Sequence, residues 1–388
     1  MKSDINKELI PFETGVFLHF EIFYNFAYYG FLSPYKYVVS THLDLGKDAG
    51  VVGKTTIFRK VICWLLQILL YATFLIAGEY KLNKPLSQDL SVLYDLVHTF
   101  SLMGGVLLFV ITLSRNKGRT MGTLNSQCYE LMRSKHYGRN GISWWERVKM
   151  TWVTRVLLGF PVLKQVQIVV TAYLDTTMDF EDLFISTPYL MLINFYTDAF
   201  LAFFYITIIA CYQLSRDSLE FLRVNRDALR FDKILTHYSV IKDITHKMNR
   251  STSKILFGAI FIGTSAFCKY LGSLDQEPIS DVIEIVAHFI MFAVLLTLCA
   301  QSTANFNEIS KVIFELWKHG GLNEREERGI SIIFMDIVQN PVGLRAHTFL
   351  VSFSLVATNA PTTFLAGKLT TGADEILLGG KIKRLSGK

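Results

Sequence analysis

The sequence lacks the residue patterns on which most enzymes depend. It has no Ser-His-Asp arrangement, no HExxH, no Cys-x-x-Cys pair and no phosphate-binding glycine loop. The cysteines have no paired spacing, and most lie in or beside apolar runs: Cys63, Cys128, Cys211, Cys268 and Cys299. These absences argue against an enzyme, a disulfide framework and a metal site, and we expect no cofactor.

The chain also has few signals for linkers, repeats or a cleaved leader. No stretch rich in proline, glycine and serine interrupts the long loops, and no repeat or low-complexity run is present. Without internal repeats or paired broken helices, a secondary transporter is disfavoured. The N-terminal segment MKSDINKELIPFE contains no short apolar run, so we expect the first span to act as its own insertion signal.

Apolar residues are abundant and make up 51% of the 388 residues. Several apolar runs are long enough to cross a hydrocarbon core roughly 30 Å thick. Hydropathy predicts spans that begin near Val61, Leu96, Val156, Pro188, Ile255, Ile283 and His347. The third is the weakest, because it carries Pro161 and Lys164. The predicted fold class is an all-α membrane protein with seven transmembrane helices.

The charges of the loops predict the orientation. The loop 114–150 contains eight Lys or Arg against two Glu, and the loop 216–250 is also basic. By contrast, the loops 175–182 and 275–281 carry acidic residues and no base. Because basic loops stay in the cytoplasm, we expect a cytoplasmic N-terminus and an external C-terminus. This is the reverse of a G-protein-coupled receptor, so no G protein is expected, and the basic loops require no nucleic acid.

An aromatic segment, residues 16–37, precedes the first predicted span. It also contains His19, Glu21 and Asn25. Aromatic residues mixed with polar groups suit a helix at the headgroup level, so we predict an interfacial helix. The alternative is an additional span, which would return the C-terminus to the cytoplasm.

Three amphipathic patterns lie outside the predicted spans. Apolar residues recur at spacings of three and four within 241–248, 306–316 and 330–338. Helices with these stripes are expected to extend the spans into the cytoplasm. They form either hairpins within one chain or a bundle that joins several subunits, and periodicity alone favours neither.

The last predicted span has an uncharged polar face. If 347–362 is wound as a helix, hydroxyl and amide side chains gather on one side, after a break at Pro341 and Gly343. Such groups need partners inside a membrane, which a water-filled pore or dry helix packing can supply. The pore-lining candidates are Thr348, Val351, Ser352, Leu355, Thr358, Asn359 and Thr362.

The block from about Leu298 to Gly367 resembles the C-terminal region of insect gustatory receptors. That region has a cytoplasmic extension of helix six, an amphipathic half-helix, a short break and a final half-helix ending in a Thr-Tyr motif. Thr363 and Phe364 are similar to the Thr-Tyr pair, and the stretch GFLSPYKY is similar to the segment before the family's first span. Thr370 and Thr371 stand where the family has Gln-Phe.

The resemblance implies a ligand-gated, non-selective cation channel in the plasma membrane, a homo- or hetero-tetramer opened by a small-molecule tastant. The corresponding regions are 1–55, cytoplasmic or interfacial; 56–300, six spans with the ligand pocket; 301–345, cytoplasmic anchor helices; 346–367, the pore-lining helix; and 368–388, an atypical tail. Alternatives are an odorant-receptor subunit that needs a partner, or a non-conducting member of the same fold.

The resemblance also implies a ligand pocket among the outer halves of the spans. His98, Glu284 and His288 are ionisable or polar groups inside the membrane, which are costly and therefore functional candidates. Each could equally be a satisfied polar group that ties helices together. The full candidate set is Tyr71, His98, Tyr173, Tyr189, Asn194, Tyr196, Glu284 and His288.

Overall fold

The protein is a helical bundle in a computed structural model. The structure describes residues 16–35, 37–38, 51–52, 55–82, 90–114, 144–174, 187–225, 231–273, 279–319, 324–339, 341–346 and 349–352. The helices are α1 (Val16–Tyr29), α2 (Ile57–Leu82), α3 (Leu90–Ser114), α4 (Trp144–Leu174), α5 (Thr187–Val224), α6 (Phe231–Ser273), α7 (Ile279–His319) and α8 (Glu324–Gln339). Two short antiparallel pairs accompany them: β1 (Tyr37–Val38) with β2 (Val51–Val52), and β3 (Arg345–Ala346) with β4 (Phe349–Leu350). The predicted all-α class is confirmed.

The first four predicted spans coincide with helices of membrane length. The apolar segments are 57–76 of α2, 96–113 of α3, 151–174 of α4 and α5 itself. The fifth predicted span overlaps a shorter apolar segment, 252–266, within α6, and the sixth lies within α7. Most of the seventh falls outside the described residues. Pro161 does not break the weak third span, because α4 continues through it.

Helix α5 is the centre of the bundle, and α4 lies at its edge. In an apolar 18-residue stretch of each helix, 61% of the residues of α5 are buried, against 17% of those of α4. Phe203 of α5 packs on Phe23 and Phe109, with ring centroids 4.8 and 5.5 Å apart, respectively. Buried aromatic pairs at such separations add packing energy beyond their area. The exposed apolar face of α4 suits contact with lipid.

Helix α1 corrects the prediction of a helix on the membrane surface. Phe23 and Ala27 are fully buried, and α1 packs against α4 and α5. His19, which is 1% exposed, bonds Thr154 of α4 and Gln213 of α5, each at 2.6 Å. With 14 residues α1 extends about 21 Å, too short to span. Internal partners for His19 therefore let α1 enter the bundle instead of lying at the headgroups.

Helices α3 and α6 cross at a point where both carry glycine. A Cβ added to Gly105 would lie 2.7 Å from Cδ1 of Ile262, and one on Gly258 would lie 3.9 Å from the Gly105 Cα. Small residues permit such close approach between membrane helices.

The amphipathic helices pack against one another within one chain. Ile241 and Ile244 of α6, Ile309 and Ile313 of α7 and Ile330 of α8 are at most 3% exposed. A Lys242–Asp336 ion pair joins α6 to α8. The hypothesis of intramolecular packing is thus confirmed for these stripes, and a bundle between subunits stays a prediction.

His237, near the start of α6, is expected to make the folded state sensitive to acid. It is 1% exposed, its Nε2 lies 2.8 Å from Ser218 Oγ, and burial lowers its pKa to about 3. The unfolded chain binds a proton below about pH 6.5 while the folded chain does not, so stability falls as pH drops from 6.5 towards 3. Between pH 6.5 and 5 we expect a loss of about 2 kcal/mol from this residue.

The measurement is the apparent melting temperature of the purified protein at pH 7.5 and at pH 5. His237→Gln should reduce the difference between the two values. His246→Gln changes an exposed histidine of the same helix and serves as the matched control. Equal pH dependence in wild type and His237→Gln would contradict the assignment.

Candidate functional site

Three of the predicted pocket residues meet at the contact between α2 and α5. Tyr189 donates a hydrogen bond from its hydroxyl to the Thr73 carbonyl at 3.2 Å. Tyr71 lies two residues before Thr73 in α2, and Tyr196 lies seven residues after Tyr189 in α5. Helix periodicity puts Tyr189 and Tyr196 on one face of α5, because seven residues make nearly two turns. We refer to Tyr71, Tyr189 and Tyr196 as the tyrosine site.

Tyr196 is the chemically distinctive member of the tyrosine site. The residue is 1% exposed, and none of the described residues forms a hydrogen bond with its hydroxyl. Leaving a buried hydroxyl unsatisfied costs about 1–3 kcal/mol. A bound molecule with a hydrogen-bond acceptor would recover that energy.

The other predicted pocket residues lie elsewhere. His98 Nδ1 is 3.3 Å from Ser265 Oγ and so links α3 to α6. Asn194 is half-buried on α5. Tyr173 is 82% exposed on α4, apart from the tyrosine site, so its assignment to a pocket stays a prediction. The side chains of Glu284 and His288 lie outside the description, although both residues are part of α7.

An ion pair crosses from α4 to α5. Lys164 Nζ is 3.6 Å from Asp198 Oδ1, and Asp198 is 7% exposed. Charges inside a membrane helix are tolerated when they pair across a helix contact. The pair explains how the third span accommodates Lys164.

The segment after α8 differs from the predicted helix in its first residues. Arg345 pairs with Leu350 and Ala346 with Phe349, so β3 and β4 form an antiparallel pair, which we call the C-terminal hairpin. The N–H of Val351 donates to the Leu344 carbonyl at 2.9 Å and extends the hairpin. The helical winding predicted from His347 is therefore wrong for 349–352.

Two polar side chains fix this hairpin to the bundle. Asn249 of α6 donates from Nδ2 to the Gly343 carbonyl at 2.8 Å and accepts at Oδ1 from the Arg345 N–H at 2.9 Å. Thr303 of α7 donates from Oγ1 to the Val351 carbonyl at 2.7 Å. We call these two residues the hairpin clamp. Sequence analysis missed both, because their partners are backbone groups that leave no side-chain pattern.

The first pore-lining candidates lie in or next to the hairpin. Val351 is 1% exposed, so it packs inside the subunit, and its assignment to a pore surface is wrong for this structure. Ser352 is half-buried. Thr348 lies outside the described residues. So do the remaining pore-lining candidates and the motif pair, which are Leu355, Thr358, Asn359, Thr362, Thr363 and Phe364.

Polar groups also line the contact between α5 and α7. Cys211 Sγ lies 3.2 Å from Ser302 Oγ, and Asn305 donates to Ser215 Oγ at 3.2 Å. Both Cys211 and Cys299 are buried free thiols, in agreement with the prediction that they are small packing residues.

These features define a multi-pass helical membrane protein with an inserted N-terminal helix and a clamped C-terminal hairpin. Its fold is that of an insect olfactory receptor. The chain is similar to the structure of olfactory receptor OR5 from Machilis hrabei in complex with eugenol, with a TM-score of 0.56 and 13% identity over 92% of this chain and 96% of that chain.

A second structure of OR5 from Machilis hrabei matches with the same TM-score of 0.56 and 13% identity, over 92% of this chain and 95% of that one. No protein-family model matches the chain, and no curated protein matches it in sequence. The similarity is therefore one of fold. This similarity of fold covers 92% of the chain.

Proposed function

We propose that the protein is a subunit of a chemosensory, ligand-gated cation channel. The observation that carries the proposal is the fold shared with an insect olfactory receptor over 92% of the chain. Further support comes from the hairpin clamp, which ties α6 and α7 to the segment that leads into the last predicted span. A movement of either helix would thus reach that segment directly. The proposed assembly is a tetramer whose last helices line one pore.

The proposed topology has a cytoplasmic N-terminus in the plasma membrane, as the basic loops favour. Tags placed before Met1 and after Lys388 test it by antibody staining of intact and permeabilised cells. Staining of the C-terminal tag alone in intact cells is expected. Staining of both tags only after permeabilisation would exclude an odd number of spans.

The functional test is the membrane current of cells that express this chain alone. A small-molecule tastant should open a cation current within seconds of application. Current only after co-expression with a second receptor subunit would favour the odorant-receptor type of assembly. Surface expression without current under either condition would favour a non-conducting member of the fold and contradict the proposal.

The proposed ligand site is the tyrosine site, and its ligand is a small organic molecule that carries a hydrogen-bond acceptor. Support comes from the Tyr196 hydroxyl, which is buried and lacks a partner within the described part of the chain. The related receptor from Machilis hrabei was solved with eugenol. We propose that a tastant of similar size binds this protein.

Tyr196→Phe should separate binding from stability. Without ligand, the variant removes an unsatisfied hydroxyl, so the melting temperature should stay equal or rise. With an active ligand, loss of one buried hydrogen bond should raise the half-maximal concentration about tenfold. Tyr173→Phe removes a hydroxyl from an 82% exposed tyrosine and is the matched control. An unchanged response of Tyr196→Phe would exclude Tyr196 from the ligand site.

A further inference from the structure

Arg59, in the first turn of α2, lies against the end of α1. Its guanidinium carbon is 3.5 Å from the ring centroid of Tyr28 and 4.5 Å from that of Phe31. Contacts of this kind hold a cation over an aromatic face. They provide no hydrogen-bond acceptor in the plane of the guanidinium for its N–H groups.

Two nitrogen atoms of Arg59 remain without an acceptor. Nε and Nη2 are both buried, and no described residue hydrogen-bonds to either. A buried donor on a charged group is costly when it is left unsatisfied. Nε and Nη2 lie on the same edge of the guanidinium, where two parallel hydrogen bonds can reach two oxygens of one carboxylate or phosphate.

The backbone around Phe31 keeps the ring in place at a cost. Phe31 has a φ of 59°, in the left-handed region that favours glycine. Such a conformation in a non-glycine residue costs on the order of 1 kcal/mol or more. The preceding residue, Gly30, is packed closely as well, because a Cβ there would lie 2.9 Å from the Phe195 ring. The turn therefore holds Phe31 against Arg59.

The surroundings of Arg59 indicate where the anion comes from. The membrane-length segment of α2 begins at Ile57, two residues before Arg59. Ile57 and Phe58 are 81% and 74% exposed, as expected for side chains that face lipid, and Lys60 is also exposed. The first turn of a span lies at the depth of the lipid phosphates, where basic groups between helices bind headgroups.

We propose that Arg59 binds the phosphate of an anionic lipid through Nε and Nη2, beside the contact between α1 and α2. The partial positive charge at the N-terminus of α2 adds to the attraction. Tyr28 and Phe31 pack against the guanidinium beside this edge, with ring centroids 3.5 and 4.5 Å from its central carbon. The bound lipid connects the inserted helix α1 to the first span.

The test is the apparent melting temperature of purified, detergent-solubilised protein during titration with dioctanoyl phosphatidate. Phosphatidate should raise the melting temperature, and neutral dioctanoylglycerol should not. Arg59→Gln should weaken the response at least tenfold in concentration, while Lys60→Gln, which removes an adjacent exposed charge, should respond within about twofold of wild type. Equal responses of Arg59→Gln and wild type would overturn the proposal.

A second variant and a second probe keep the test decisive. Arg59→Lys retains the charge but cannot form two parallel hydrogen bonds with one phosphate, so it should bind phosphatidate at least tenfold more weakly. This variant tests the proposal even if Arg59→Gln fails to fold. Lysine binding as tightly as arginine would overturn the proposed geometry. Inorganic phosphate should stabilise the protein far less than phosphatidate. An equal effect of free phosphate would overturn the lipid as the source of the anion.

Discussion

Asn249→Leu is expected to destabilise the protein by about 2–6 kcal/mol and to uncouple the C-terminal hairpin from α6. Leucine has nearly the shape of asparagine but cannot bond the Gly343 carbonyl or the Arg345 N–H. Each of these backbone groups would then lack a partner in a half-buried site, at about 1–3 kcal/mol each. The melting temperature of the purified variant measures the loss.

Asn249→Asp divides the effect between the two bonds. Aspartate still accepts from the Arg345 N–H, but it replaces the donor to the Gly343 carbonyl with an oxygen. Because this oxygen also repels the Gly343 carbonyl oxygen, we expect Asn249→Asp to lose stability although it keeps the bond to Arg345. Equal melting temperatures in all three proteins would show that Asn249 does not hold the hairpin.

In the proposed channel, the clamp variants should change gating as well as stability. Thr303→Val removes the hydroxyl that donates to the Val351 carbonyl and keeps the side-chain volume. Thr297→Val is the matched control, because the exposed Thr297 hydroxyl donates to Ala293 within its own helix. The ratio of ligand-free to ligand-evoked current should change in Thr303→Val and not in Thr297→Val.

Gly343→Ala adds one methyl group just before β3, and we expect it to destabilise the protein. A Cβ at Gly343 would lie 2.7 Å from Thr303 Oγ1 and 2.8 Å from Leu350 Cδ1. Contacts this short force the hairpin or α7 to move, and overpacking of this kind costs about 1–3 kcal/mol. The unfolding free energy should fall by about that amount.

A double-mutant cycle with Thr303→Ala identifies the cause. Thr303→Ala alone loses the bond to Val351, but in the Gly343→Ala background it also removes the clashing atoms Oγ1 and Cγ2. The second substitution should therefore cost less in that background than in wild type, by at least 0.5 kcal/mol. Additive losses would show that Thr303 does not confine Gly343.

The sequence was sufficient to predict the first four spans, because lipid contact requires apolar side chains along whole helices. Trp64, Leu65 and Phe160 are exposed in α2 and α4, where any soluble fold would bury them. The position of α1 could not be predicted. His19 is a polar residue whose partners lie 135 and 194 positions away, and local pattern carries no information about them.

The ligand pocket stays a prediction, because depth in the membrane alone selected its candidates. Depth in the membrane identified Tyr71, Tyr189 and Tyr196, but it also selected Tyr173, since depth does not say which way a side chain points. Strand β4 was predicted as part of a helix, because the polar pattern that begins at His347 also fits a helix. The hydrogen bonds from Asn249 and Thr303, which come from distant parts of the chain, hold the extended form.

The burial of α1 has a consequence for the synthesis of the protein. The ribosome makes His19 first, but Gln213, one of its two partners, follows 194 residues later. At about 5–20 residues per second, roughly 10–40 s pass before that partner exists. During this interval the nascent α1 has no groove to enter and must wait at the membrane surface. We therefore expect α1 to enter the bundle late in biogenesis, after α5 has been synthesised.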